Sequence, residues 1–374
     1  MRTVLCAEGA AEPSQALNHY LRLHPPTAAD PVRLVFGIRR TPVPLRVPLP
    51  EGLDLASFVP GRGLRDLPVQ VVRWRYSEIC RRLSSGEFRP DVVLACTTPP
   101  DARGARSLGV VDGYLGAALE VAARTVVEEV GWLPRIPGAP VVRADEVVPS
   151  DLGAGGDHFA APFDDVDLAI ARALVKLLPD EPTLALGIGR VPDAAAWLLR
   201  ERRGLKLLTG VVTPAVRDLV DAGAITGSVQ TMSVVGPPEL LEWAAASGRV
   251  RILPSTIVHN PDHLGSVDRF VAVLGALEVD LHGNVNAERV RQRDVSGMGG
   301  APDFAEGAHR SPGGMTIVAL RSTDSRNRSR LSQQVGTITV RGEHVDAIVT
   351  EKGAAWLAGC GSADRAELIR AVFA

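Results

Sequence analysis

Short runs of β-branched and aliphatic residues alternate with amphipathic stretches of helical length almost from one end of this chain to the other, and no other feature narrows its fold as far. Strand-like runs fall at 69–73, 92–96, 184–186, 250–253, 270–274, 316–320 and 347–349, and helical periodicity covers 113–130, 166–178, 193–203, 214–222, 238–246 and 363–373. Strands that alternate with helices assemble into sheets covered on their faces by those helices, so the pattern predicts the α/β class. Helix ends support the segmentation. Pro214 can occupy a first helical position, where its missing N–H costs nothing, and Gly223 can close the same helix in the left-handed conformation. A chain of 374 residues is long enough for two domains at roughly 150 residues each. The stretch 134–157, broken by Pro and Gly, predicts the boundary and gives α/β domains over 1–157 and 158–374. The Pro-rich segment 23–60 carries no assignable pattern, and no internal repeat is visible.

Charge and cysteine usage remove several classes of function. Forty-one Lys and Arg stand against 43 Asp and Glu, a formal charge of -2, so no broad positive field exists to hold nucleic acid or an anionic membrane. Cys6, Cys80, Cys96 and Cys360 are scattered without C-x-x-C spacing, which points away from a zinc ribbon or redox dithiol and toward a reduced, cytoplasmic protein. The N-terminal residues lack the basic start and long apolar run of a signal peptide. No window reaches the 18 uninterrupted apolar residues of a membrane span.

Five constellations could carry chemistry. In LALGIGRVPDAAAW a strand ending at Leu186 passes through Gly187 and Gly189 into a helix near Pro192, a turn that can aim backbone N–H groups at an anion. The dinucleotide form of that turn wants a third glycine where Pro192 stands and an acidic residue about twenty positions on, and both are missing, so a plain strand–helix turn competes with phosphate binding. In FVAVLGALEVDLHGNVN, residues 270–286, an apolar strand runs on into an alternating segment with Glu278, Asp280 and His282 on its polar face. The plain reading is a half-buried strand; the sharper one is a carboxylate nucleophile on a rigid element beside Gly275. SGMGGAPDF, at 296–304, is either a structural turn or a loop whose N–H groups meet a ligand. In VHNPDHLG, Pro261 interrupts the helix that would put His259 and His263 on one face, so a hydrogen-bonded turn is favoured over a metal site, and no metal is expected. RVRQR and RNRSR space arginines for phosphates or simply for water; no aromatic residues interleave to stack bases.

Taken in order, PDVVLACTTPPDARGARSLGVVDGY, LALGIGRVPDAAAWLL, RDLVDAGAITG, ALEVDLHGNVNAE, SGMGGAPDF and VTEKGAAWLAG resemble the acetyl-CoA hydrolase/transferase family, which includes acetate and 4-hydroxybutyrate CoA-transferases. The likeness runs from about residue 65 to the C-terminus. It implies two α/β domains of the CoA-transferase type with the active site in the cleft between them, and a nucleophile supplied by the glutamate of the E-V-D segment, Glu278. It further implies Gly353 of TEKG as a backbone donor to the oxyanion, and Pro254, Ser255, Thr256, Gly299 and Gly300 as residues lining the CoA channel. The substrates implied are an acyl-CoA and a small carboxylate, with coenzyme A as substrate, no other cofactor, and room for a homo-oligomer. The same glutamate would serve a hydrolase, and a CoA-binding or partner subunit without turnover is a third reading. Three departures stand out against the resemblance: Glu8 where the family carries His, Lys352 where it carries an aromatic or amide residue, and an Arg-rich loop at 321–334 in place of a lysine–glycine run.

Overall fold

The computed structural model describes residues 1–151, 153, 162–291 and 293–374. It has the α/β class expected of the sequence, in two compact units: Met1–Gly156 with Met232–Thr256 and Asp294–Gly299, and Asp157–Thr231 with Ile257–Arg293 and Gly300–Ala374. The boundary expected at 157 lies outside the described residues. Two consecutive spans do not describe the partition, because the chain returns to the first unit twice after leaving it.

In the first unit, strands β1 (Arg2–Cys6), β2 (Val32–Phe36), β3 (Leu53–Ser57), β4 (Gln70–Val71), β5 (Val92–Thr97), β6 (Arg124–Glu129) and β7 (Glu146–Pro149) form a parallel sheet in the order β4-β3-β2-β1-β5-β6-β7. The chain winds outward from β1 and then returns to its other side, so the order reverses between β1 and β5. Every residue of β5, VVLACT, is buried, as a central parallel strand covered on both faces requires. Helix α1 (Ser14–Leu23) puts Ala16, Leu17 and Tyr20 into a core with Val4, Leu34, Leu55 and Leu94; each such aliphatic side chain contributes about 1.5–3 kcal/mol when fully buried. Helices α2 (Tyr76–Ser84) and α3 (Leu115–Val121) belong to the same unit.

The second unit repeats the winding. Its strands are β8 (Thr183–Leu186), β9 (Leu205–Val212), β10 (Ile225–Val234, whose residues from Met232 belong to the first unit), β11 (Phe270–Gly275), β14 (Met315–Ala319), β16 (Ala347–Thr350) and β17 (Gly353–Trp356). They lie in the order β10-β9-β8-β11-β14-β16-β17, reversing between β8 and β11. Three short strands, β12 (Glu278–Asp280), β13 (Val285–Asn286) and β15 (Leu331–Ser332), form a separate sheet in the order β13-β12-β15. Helix α4 (Asp165–Val175) opens with a capping box in which the Asp164 side chain accepts from Val166 and Asp167 N–H. Helices α5 (Arg190–Leu199), α6 (Pro214–Asp221), α8 (Ala301–Arg310) and α9 (Ser362–Ala371) and a short helix at Pro261–Gly265 also belong to this unit, with α7 (Pro238–Ala246) in the returning segment of the first. Pro214 is at a first helical position and Gly223 has φ +72°, as their placement predicts. Among the described residues no helix is long and apolar enough to cross a membrane.

Three sequence expectations need correction. The helix predicted over 113–130 is α3 only as far as Val121; TVVEE that follows is β6, whose β-branched residues pair with β5. The segment 270–286, expected as one strand, breaks after Gly275 and enters a different sheet at Glu278. The unassigned stretch 23–60 holds β2 and β3, short central strands set between Pro-rich loops.

Candidate active site

Ligands of doubly wound sheets bind beyond the C-terminal ends of the strands where the order reverses. In the second unit that point is flanked by Leu186, ending β8, and Gly275, ending β11, and both of the chain's strongest motifs converge there. The Gly187 N–H donates to the Val273 carbonyl at 3.0 Å, and a Cβ on Gly187 would stand 3.1 Å from that oxygen, so the backbones approach closely at the turn into α5 and leave little room for a side chain. Arg190 at the start of α5 pairs with Asp164 at 2.6 Å and Asp167 at 2.7 Å; Arg321 meets the same two carboxylates, each at 2.7 Å. Hydrogen bonds from Arg321, the largest influence, hold the Asp164 carboxyl well below the usual range. The arginine of GIGR and the first arginine of the 321–334 loop are thereby committed to the cap of α4.

Three residues beyond Gly275 the chain reaches Glu278, the first residue of β12. Its side chain is half-buried, and the only hydrogen bond its carboxylate receives among the described residues is a long one, 3.4 Å, from Asn286 Nδ2. Asn286 faces Glu278 across the β12–β13 pair and is itself held by the following turn: its amide donates to the Arg289 carbonyl at 2.8 Å and accepts from the N–H groups of Glu288 and Arg289. Asp280, two residues on, is fully occupied. One oxygen accepts from His282 and Asn284 N–H at 2.9 and 3.0 Å, and the other from the Asn284 amide at 3.1 Å and Val335 N–H at 3.3 Å. The E-V-D motif thus contains one carboxylate that builds the turn and one that keeps a single long contact.

Gly353 opens β17 at the end of a tight turn through Glu351 and Lys352, with φ +147°, a conformation open to glycine and strained for other residues. The turn is tied to the Glu278 strand. Glu351 accepts from Ser322 N–H at 2.9 Å and from the Ser322 hydroxyl; burial works against ionisation, but these bonds outweigh it and hold its carboxyl below the ordinary range. The Ser322 carbonyl accepts from Arg330 N–H at 2.9 Å, and the Arg330 carbonyl accepts from Val279 N–H at 2.9 Å. Lys352 points elsewhere, with Nζ on the backbone oxygens of Phe373 and Ala374 at 3.2 and 2.5 Å. In the Arg-rich loop Asp324 accepts from Arg326 and Arg328 N–H and from the Arg328 side chain; Gln292 of RVRQR lies outside the described residues.

The remaining expected site residues divide between the units. Gly300 caps α8 in the second unit against the buried His259, whose imidazole burial depresses to about 3, keeping it neutral. His263 sits on the separate short helix Pro261–Gly265, capped by the Asn260 side chain. Among the described residues no group of three or more His, Cys, Asp or Glu side chains is placed to hold a metal. In the first unit, Gly299 accepts a hydrogen bond from Tyr76 N–H. Pro254 and Thr256 line a cavity of about 530 Å³ with Asp112, Gly113, Glu120 and Arg143. Ser255 instead turns inward, its hydroxyl 3.6 Å from Met232 Sδ. Burial raises the Asp112 carboxyl to about 6.

At the first unit's own reversal point, just past β1, stands Glu8. It is 5 % exposed and accepts from Ile38 N–H at 2.7 Å and the Tyr76 hydroxyl at 3.0 Å, and burial pushes its carboxyl up. The cavity it lines within that unit is about 10 Å³, room for a water and no more. Sequence reasoning gave Asn286 no role and read Arg330 only as one of the RNRSR arginines, for phosphates or for water. The first lies on the polar face of the same motif as Glu278; nothing local marks the second's side-chain contact, which lies 54 residues away.

Residues 236–372 match the acetyl-CoA hydrolase/transferase C-terminal domain. The chain is 29 % identical over 296 residues to the 4-hydroxybutyrate coenzyme A transferase of Clostridium kluyveri, covering 75 % of this chain and 68 % of that protein. It is 28 % identical over 323 residues to the butyryl-CoA:acetate CoA-transferase of Anaerostipes caccae, covering 79 % and 71 %. The crystal structure of a 4-hydroxybutyrate CoA-transferase from Porphyromonas gingivalis superimposes with a TM-score of 0.77 at 26 % identity, over 100 % of this chain and 89 % of that one.

Proposed function

Through residues 236–372 the chain belongs to the acetyl-CoA hydrolase/transferase family, and from that premise we propose that it moves CoA between a short-chain acyl-CoA and a free carboxylic acid by way of Glu278. It is an enzyme, with CoA transfer as the reading its relatives favour and acyl-CoA hydrolysis as the alternative. The observation that carries the assignment is the contrast within one motif: Asp280 is saturated by four donors, whereas Glu278, two residues away at the reversal point, is half-buried with a single long contact.

The reaction closes without an added cofactor or net proton. A Glu278 oxygen attacks the thioester carbonyl carbon, the C–S bond breaks, and CoA thiolate leaves an acyl-glutamyl anhydride. The thiolate then attacks the glutamyl carbonyl, expelling the first carboxylate and leaving a glutamyl-CoA thioester. An incoming carboxylate reverses both steps and departs as the new acyl-CoA, freeing Glu278. Each tetrahedral intermediate carries an oxyanion, and one preorganised donor is worth about 3–4 kcal/mol in such sites. Gly353 is our candidate for a backbone donor and Asn286 Nδ2 for a side-chain one. Coenzyme A enters as a substrate, and Pro254, Thr256, Gly299 and Gly300 are candidates to contact it.

Incubation with acetyl- or butyryl-CoA, borohydride reduction and peptide mass spectrometry test this directly. A reduced adduct at Glu278, with labelled CoA passing to free acetate, is the expected result. Exchange with an unmodified Glu278 peptide would refute the assignment, and thiol release at the same rate with no acceptor acid would identify a hydrolase.

A further inference from the structure

The approach to Glu278 is structurally precarious. Only Ala276 and Leu277 separate the end of β11 in the main sheet from the start of β12 in the small one. β12 is three residues long and its partners β13 and β15 two each; on the β13 side Leu277 N–H donates to the Asn286 carbonyl at 2.9 Å, and short strands of this size leave few ladder bonds on the β15 side. One residue closes this gap from both sides. The carbonyl of Arg330 accepts from Val279 N–H at 2.9 Å, just after Glu278, and its guanidinium Nη1 donates to the Ala276 carbonyl at 3.2 Å, just before it. The parallel register pairs Val279 with Leu331; continued back by one residue, it sets Arg330 level with Glu278 and on the same face.

We propose that Arg330 is a positioning residue for the Glu278 nucleophile, gripping the chain on both sides of it and tying it through Ser322 and Glu351 to the turn that carries Gly353. The inference rests on the CoA-transfer reading and deepens it. The backbone half of the grip is independent of residue type; the side-chain half needs a donor that spans from β15 to the Ala276 carbonyl. Arginine suits it because the planar fork keeps its charge when half-buried and loses little freedom for each bond formed. The anchor also has a rationale. Nucleophile and oxyanion donor must keep a fixed separation through four successive attacks, and a run of short bonds from Glu351 to Ser322 to Arg330 to Val279 supplies a stiff spacer.

The test compares wild type with Arg330→Ala and Arg330→Lys, following both steady-state exchange and the rate of borohydride-trapped adduct at Glu278. The expected result for Arg330→Ala is a fall in kcat of about 100-fold, the loss typical of a misplacement near 1 Å, with KM for acyl-CoA changed less than about 3-fold and adduct formation slowed in parallel. Arg330→Lys should recover part of the rate, as should millimolar guanidinium added to Arg330→Ala, a rescue that general loosening of the fold would not show. If Arg330→Ala cannot be obtained folded, the lysine variant carries the same kcat-against-KM comparison. Unchanged kcat, a loss expressed in KM alone, or the absence of rescue by both lysine and guanidinium would overturn the proposal. A wild-type enzyme that forms no adduct at Glu278 would instead defeat the CoA-transfer reading beneath it, so the two failures are told apart.

Discussion

The two sheets reverse their strand order in the same way, β1 beside β5 in one unit and β8 beside β11 in the other, and each places a glutamate a few residues past a strand at that point. Glu8 and Glu278 therefore occupy comparable places and are treated oppositely. Glu8 is sealed in, bonded by a backbone N–H and a tyrosine hydroxyl, and stacked about with aromatic rings, Tyr76 and Tyr114 lying 5.9 Å apart. Glu278 keeps part of its surface and one long contact. The reversal point offers a location; the number of donors around the carboxylate decides whether it holds structure together or stays available for attack.

The largest effect that could break this contrast is loss of the Glu278 carboxylate, the proposed nucleophile. Glu278→Ala should reduce CoA exchange by on the order of 10⁴-fold or more, since the proposed covalent intermediate is built on this carboxylate, while a half-exposed side chain with one weak bond leaves the melting temperature nearly unchanged. Exchange assays with calorimetry on the same preparation check both halves; retained exchange would dissolve the distinction between the two glutamates. The converse substitution belongs to the first unit. A methyl group on Gly37 would land on the Tyr114 hydroxyl and the Glu8 carboxylate, so Gly37→Ala should cost about 1–3 kcal/mol in urea unfolding, with exchange per folded molecule close to wild type. A loss of turnover without loss of stability would mean that the Glu8 cluster has a chemical role after all.

How far these features could be read from the sequence depends on the range of the interactions that make them. The βα alternation, the strand at 92–96, the ends of α6 and the Glu278 motif rest on neighbouring residues and are visible in a single line of text. The 113–130 segment misled because LGAALEV and TVVEE join into one apolar period although the second half pairs with β5. The division of labour between Glu278 and Asp280 was hidden because two of the latter's donors come from Asn284 and one from Val335, across a turn and another loop. RNRSR shows both limits. Arg328 pairs with Asp324 four residues before it, a local pattern, whereas Arg330 reaches a carbonyl 54 residues away. The Glu8 partners, at separations of 30 and 68 residues, are equally invisible locally.

The smallest effect is also the one that sharpens the contrast most. Burial, opposed by the Ile38 and Tyr76 bonds and by Arg40 and reinforced by Glu12, raises the Glu8 carboxyl above its ordinary value in the folded protein. The native state therefore binds this proton more tightly than the unfolded chain does, so the contribution is most favourable below the ordinary glutamate range and is lost as pH rises through it to the raised value. Glu8→Gln keeps the shape and an acceptor for Ile38 N–H but removes the titration. Its unfolding free energy should lose that segment of pH dependence, so that any deficit near pH 4 shrinks, or turns into a gain, by pH 8. Urea melts of both proteins across that range decide it. Parallel curves would show that Glu8 titrates like an ordinary surface acid, and the two reversal points would then no longer differ in the way that singles out Glu278.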